Sequence, residues 1–177
     1  MSLNEIRSLL EDHGFTPKEI GSSDIEYVSN LIGGYNFPGS LVDFIKVTNG
    51  CNFGILKNIV ISCDVINSGS YEPYCHPISK CEILKMFDYR KEVRKRDDNS
   101  FLYEYTRAKD LYSSGMSLPP DRYFPLFNGF LGTKVFIDMT NGSLVNFNED
   151  GEDPKEERTI VANSIDDFIE RSIIEPM

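Results

Sequence analysis

Cysteine and histidine are the residues in this 177-residue chain with the most direct claim to chemistry, and there are four of the first and two of the second. A structural zinc site is normally built from two closely spaced ligand pairs, and of Cys51, Cys63, Cys75, Cys81, His13 and His76 only Cys75, His76 and Cys81 approach that pattern. No Cys-x-x-Cys occurs, so the expectation is no metal and reduced thiols packed as small apolar residues. Nucleophilic catalysis has little support either. Two histidines leave almost no choice of general base, and neither Gly-x-Ser-x-Gly nor His-Glu-x-x-His is present. Cys75 and His76 are sequence neighbours, but a nucleophile and its base normally meet through the fold. The phosphate cradles of nucleotide binding are missing, and Gly33-Gly34 reads as a helix stop. No catalytic residue and no cofactor is expected.

Carboxylates are the chemistry the chain has in excess. There are 28 acidic against 18 basic residues, for a net charge of -10. From Glu149 onward ten acidic residues face three basic ones, so most of the surplus is gathered in one short stretch. Glu149, Asp150, Glu152 and Asp153 flank Gly151 beside Pro154, a composition that belongs in a solvated loop where carboxylates keep ordinary acidity. The run lacks the alternating ligands and distal Glu of a calcium loop. Such a charge repels phosphate backbones and anionic lipid, which argues against nucleic acid and membrane partners, and it steers basic protein surfaces inward. Glu149, Asp150, Glu152, Asp153, Glu156 and Glu157 are therefore the candidate partner-binding residues. A face that only keeps the chain soluble is the plainer explanation of the same charge.

These groups must be positioned by elements whose boundaries are well marked. Ser2-Leu3-Asn4-Glu5 forms a capping box before Leu3, Ile6, Leu9 and Leu10, and Gly14 offers a left-handed stop. Ser23 to Glu26 repeats the start signal before Ile25, Val28, Leu31 and Ile32. Pro38 opens a third helix with Leu41, Phe44, Ile45 and Thr48 on one stripe, and Asn49-Gly50 turns the chain. Residues 53–56 and 59–63 are short and apolar, which predicts paired strands. An irregular loop is expected over 67–79, and helix interrupted by a charged run at 94–99 over 80–109.

Beyond the turn at 116–120, Tyr123 to Phe127 predicts a strand that begins a three-strand meander. Its last two strands, 133–139 and 144–148, flank Asn141-Gly142, a dipeptide suited to a two-residue type I′ hairpin. Thr159 to Ala162 is a short apolar element, and Ser164 caps a last helix with Ile165, Phe168 and Ile169 inward. Helices segregated from strands predict an α+β fold, a central antiparallel or mixed β-sheet with helices packed against it. One domain over 1–177 is expected, with a variable insertion at 67–120. The first helix carries Glu5, Glu11 and Asp12 where an export signal would be basic and apolar, and no long apolar run occurs, so the expected location is cytoplasmic.

Three segments, FPGSLVDFIKVTNGC, YFPLFNGFLGTKVFIDMTNGSLVNFNED and TIVANSIDDFIERSI, together resemble the SUKH superfamily. The resemblance rests on Pro38, Phe44, Asn49, Gly50, Asp138, Asn141, Gly142, Ala162, Ser164 and Phe168, in that order and spacing. It runs from about the second helix to Ser172 and leaves 67–120 unmatched. That superfamily includes bacterial immunity proteins and fungal regulators of cell-wall synthesis. The resemblance implies a non-catalytic scaffold with variable binding surfaces, here an immunity protein that neutralises a toxin, a nuclease, through its acidic surface. The alternatives are an intracellular regulator or scaffold of the cell-wall synthesis type and, behind it, a small hydrolase.

Overall fold

Three helices open the chain because their ends are chemically specified. The computed structural model describes residues 1–53, 56, 59–66, 80–92, 100–113, 119–129, 134–147 and 159–176. Helix α1 spans Leu3–Asp12, with the reciprocal box in place: Glu5 N–H donates to Ser2 Oγ at 3.3 Å and Ser2 N–H to Glu5 Oε2 at 2.6 Å. Helix α2 spans Ser22–Leu31 and starts earlier than its sequence suggests. Gly21, not Ser23, precedes its first turn, and Asp24 reaches back to accept the Gly21 N–H at 3.0 Å. Helix α3 spans Gly39–Thr48 behind Pro38 and buries Leu41, Phe44, Ile45, Val47 and Thr48. Its exit is a type II turn, with Asn49 at φ -52°, ψ 119° and Gly50 at φ 66°, a value that favours glycine.

The remaining described elements are β1 (Ile59–Asp64), β2 (Lys80–Met86), α4 (Phe101–Ser113), β3 (Tyr123–Gly129), β4 (Lys134–Asp138), β5 (Leu144–Phe147), β6 (Thr159–Ala162), α5 (Ile165–Arg171) and β7 (Ile173–Pro176). The strands form one sheet ordered β6-β5-β4-β3-β2-β1-β7, antiparallel at every pairing. This is the α+β architecture the sequence predicts. Two local expectations fail. Residues 80–86 are a strand and not helix, since Cys81 and Ile83 turn to the core while Glu82 and Lys85 stay half-exposed. Phe53 and Leu56 are not strand residues: Leu56 N–H donates to Phe53 O at 3.0 Å, and just before them Asn52 bridges to the sheet at Lys85. Residues 67–79, 93–99, 114–118 and 148–158 lie outside the described ones, and the loops expected there go with them.

Helices α1, α3 and α5 share one face of the sheet. Ser164 Oγ accepts the Asp167 N–H at 3.1 Å and starts α5, which carries Ile165, Phe168 and Ile169 inward. Phe168 packs edge-on against Phe44 of α3 at 6.5 Å and against Phe127 of β3 at 5.6 Å. The sheet curls around this helix. Although β5, β4, β3 and β2 separate β6 from β1, Ile66 N–H just past β1 donates to Ile160 O of β6 at 2.9 Å. Arg171 ties the same two ends. Its guanidinium donates to Asp64 O at 2.6 Å and to Val161 O at 2.8 Å while Asp167 accepts its Nε–H at 2.8 Å.

The β4–β5 hairpin exists, but its turn is not the two-residue type I′. Asp138 O accepts from Asn141 N–H at 3.2 Å and Gly142 N–H at 2.7 Å, and Asp138 N–H donates to Ser143 O at 2.8 Å. The loop thus holds four residues, with Gly142 at φ 79°. Asp138 sets that length, because its buried carboxylate accepts Thr140 N–H at 3.0 Å, Thr140 Oγ1–H at 2.6 Å and two Arg122 N–H groups at 2.8 and 3.1 Å. Burial raises the pKa of this carboxyl, but the Arg122 and Thr140 bonds override it and hold the group down at about 2, against 3.8 unperturbed. A carboxylate held low stabilises the fold above its unfolded value and loses that contribution as pH falls through the folded one. Asp138→Asn is therefore expected to lower stability by about 2 kcal/mol at pH 7 and to flatten its pH dependence between about pH 4 and 2. Urea midpoints measured across that range check both effects.

Candidate functional site

Among the described residues the cysteines are shielded from solvent in the closed fold. Cys51, Cys63 and Cys81 are free and buried. Burial pushes the Cys51 thiol up to about 12 and the Cys81 thiol higher still, far from the thiolate that reactivity needs. His13 lies exposed on α1, its Nδ1 2.9 Å from Leu9 O. Cys75 and His76 fall outside the described residues. Within the described residues no three His, Cys, Asp or Glu side chains converge as metal ligands.

The buried carboxylates are spoken for as well. Asp88, whose side chain is fully buried, closes a junction of four chain segments. It accepts Lys18 Nζ at 2.9 Å, Arg90 Nε at 3.0 Å and Arg90 NH2 at 2.7 Å. Its backbone carbonyl accepts Phe101 N–H at 3.0 Å and so anchors the start of α4. Asn49, read from sequence as a turn former, is itself wholly buried here. Its Nδ2 donates to Lys18 O at 3.1 Å and its Oδ1 accepts Tyr89 N–H at 2.9 Å. Gly50 beside it donates N–H to Phe87 O at 3.1 Å, and any Cβ there would stand 3.0 Å from the Lys18 side chain. Burial raises Asp88, yet the Arg90 and Lys18 bonds outweigh it and keep the carboxyl below its ordinary value. Glu104 is held by Lys134 Nζ at 2.6 Å, with Arg107 at 3.8 Å. Each buried acid is neutralised and holds backbone or a neighbouring element, which suits bracing and not proton transfer.

Nothing in the motifs of sequence pointed to Asp88, Lys18 or Tyr89. Tyr89 stacks on Phe101 at 5.2 Å and Phe124 at 5.7 Å while donating its hydroxyl hydrogen toward the Pro125 and Leu126 carbonyls. The Lys18–Asp88 bond joins positions 70 residues apart and the Tyr89–Pro125 bond positions 36 apart, where no periodicity signal reaches.

Surface charge is what remains for function. Glu11, Asp12, Glu19, Glu26, Asp166 and Glu170 are exposed on or beside the helices. Asn4, Glu5, Ser8, Leu9, Asp12 and Ile174 line an open hollow of about 370 Å³ between α1 and β7. The six carboxylates singled out for partner binding, Glu149, Asp150, Glu152, Asp153, Glu156 and Glu157, lie outside the described residues. The described strands on either side fix where that segment leaves and rejoins the sheet. It departs after β5 and returns at β6, and the Asn146–Thr159 pair closes its base. The Asp88 junction yields a test of its bracing role. Asp88→Ala is expected to cost about 2–3 kcal/mol in urea unfolding, because the buried Asn49 amide and Arg90 N–H lose their acceptor. Lys18→Met should cost only about 0–1 kcal/mol, since the lysine is 41% exposed.

Comparison with curated proteins and with solved structures gives no match. A family model, described as SMI1 / KNR4 family (SUKH-1), matches residues 20–171. That span takes in α2 through α5, including the Asn49-Gly50 turn, the Asp88 junction, the Asp138 hairpin and the Ser164-capped helix. The chain belongs to the SMI1 / KNR4 family (SUKH-1).

Proposed function

We propose that this chain is a non-catalytic binding domain that neutralises a basic toxin domain, a nuclease, by laying carboxylates over its substrate cleft. The observation that carries the reading is the concentration of charge: ten of the 28 acidic residues follow Phe147, against three basic ones. Family membership supports an immunity or regulatory role without catalysis. The buried carboxylates Asp88, Glu104 and Asp138 are already matched by cations, so the surplus that sets the net charge of -10 is carried elsewhere. Carboxylates gathered in one segment raise the association rate of a basic partner and compete with its anionic substrate. Strands β5 and β6, between which the segment from Glu149 to Glu157 falls in sequence, pair with each other through Asn146 and Thr159.

The proposed partner is a toxin encoded beside this chain, and the proposed compartment is the cytoplasm. No helix among the described residues is long and apolar enough to cross a membrane. The test is co-expression with that toxin, followed by binding kinetics with the purified pair. Reversing Glu149, Asp150, Glu152, Asp153, Glu156 and Glu157 to Lys is expected to slow association roughly 10- to 1,000-fold and to abolish protection of the host. The urea midpoint should move by no more than about 0.5 kcal/mol equivalent. Reversing the exposed Glu11, Asp12, Glu19, Glu26, Asp166 and Glu170 is the control and should leave protection intact. Equal loss from both sets, or protection that survives the first, would remove the segment from the interface.

A further inference from the structure

From the register of β1 and β2 we infer that Cys63 and Cys81 form a peroxide-sensitive dithiol, able to close into a disulfide across one rung of the ladder. Cys63 stands directly opposite Cys81 in the antiparallel ladder. Opposed residues in such a ladder hold their Cα atoms about 4.5 or 5.5 Å apart, and a disulfide accepts about 4.4–6.8 Å. Both side chains leave the same face. Ser62 and Lys80 both reach Glu175, which puts the even-numbered positions on one side of the sheet, and the alternating Ile61, Cys63, Cys81 and Ile83 are all buried on the other.

Access comes from the position of this rung. The β1–β7 pairing ends at Ser62–Ile173 and the β1–β2 pairing ends at Asp64–Lys80, so the two cysteines occupy the next-to-last rung of the β1–β2 ladder, and an oxidant reaches them when that end opens past the Ile66–Ile160 and Arg171–Asp64 bonds that close it. The two thiols are not equivalent. Burial raises both and raises Cys81 the more; at Cys63 the Arg171 guanidinium, docked on the Asp64 carbonyl at 2.6 Å, works against the rise while the Asp167 and Asp64 carboxylates add to it. Cys63 is therefore the sulfur that meets the oxidant. Its thiolate, formed by loss of the Cys63 proton, attacks one oxygen of hydrogen peroxide, the O–O bond breaks, and Cys63 sulfenic acid and hydroxide result, the hydroxide taking up that proton as water. The Cys81 sulfur then displaces the sulfenic oxygen, which leaves as water with the Cys81 proton. One S–S bond forms, two thiols lose two electrons, and the peroxide is reduced to two molecules of water. The closed ring spans residues 63–81 and fastens the open end of the β1–β2 pair.

The experiment uses the full chain with Cys75→Ser, which leaves Cys51, Cys63 and Cys81. Reduced protein is exposed to hydrogen peroxide, denatured and alkylated. The expected product is lighter than the reduced form by two hydrogens before alkylation, carries one alkylated thiol at Cys51, and yields a cross-linked peptide containing Cys63 and Cys81. Its melting midpoint should rise and return on treatment with dithiothreitol, and mild urea should speed the reaction by opening the rung. Adding Cys63→Ser or Cys81→Ser should leave two alkylatable thiols. Three alkylatable thiols after prolonged exposure, a sulfinic acid at Cys63 beside a free Cys81, or a bond to Cys51 would each overturn the inference. If a serine variant does not fold, the Cys51→Ser, Cys75→Ser chain and its peptide map decide the matter alone.

Discussion

Burial of α5 inside the curve of the sheet is the constraint on which the other contacts depend. Phe168 is fully buried between Phe44 and Phe127, and Ile165 and Ile169 extend the same face. Removing one such aromatic side chain from water is worth about 1.5–3 kcal/mol. A flat sheet could offer a short helix only one wall. By curling until Ile66 meets Ile160, the sheet gives α5 contacts with β1, β6 and α3 together. Arg171 completes the arrangement from the polar end of the helix, satisfying carbonyls on both converging strands. A helix of seven residues is too short to be stable alone, so its cap, its wedge and its terminal arginine have to act together.

Polar groups inside the fold follow a consistent rule. Asp88, Glu104 and Asp138 each pair with a cation and brace a backbone junction or a neighbouring element. Their pairing separates two populations of carboxylate. The buried ones define geometry at a turn, a strand end and a helix start. Of the others, Glu5 and Asp24 cap helices, while the exposed Glu11, Asp12, Glu19 and Glu26 add to the field that an approaching protein meets.

Elements with local signals were legible in the sequence. The Ser2–Glu5 box, the Pro38 start, the Ser164 cap and the β3–β4–β5 meander all stand where their residues place them. Errors arose where tertiary pairing outvoted local pattern. Ile83 and Phe87 stand at helical spacing, yet β1 and β3 on either side recruit residues 80–86 as a strand. The Asn141-Gly142 pair announced a hairpin correctly but hid the role of Asp138, whose side chain lengthens the loop. Strand β7 had no signal at all, since Ile173 and Ile174 simply follow a helix and acquire their meaning from β1. The Asp88 junction was invisible for the same reason, as its partners are scattered from Lys18 to Phe101. The candidate partner residues came from composition, which locates charge along the chain but not in space.

The placement of β1 between β2 and β7 has a kinetic consequence. Its bonds to β7 join residues more than 100 positions apart, among them Ser62 to Glu175 at a separation of 113. Loop closure over that distance comes late in folding. Until β7 arrives, the Ile-Val-Ile run of β1 has one flank bare, a ready template for aggregation in a half-made molecule. Pro176, at the end of the four-residue β7, offers no amide hydrogen, so this border of the finished sheet is short and blunted toward other chains.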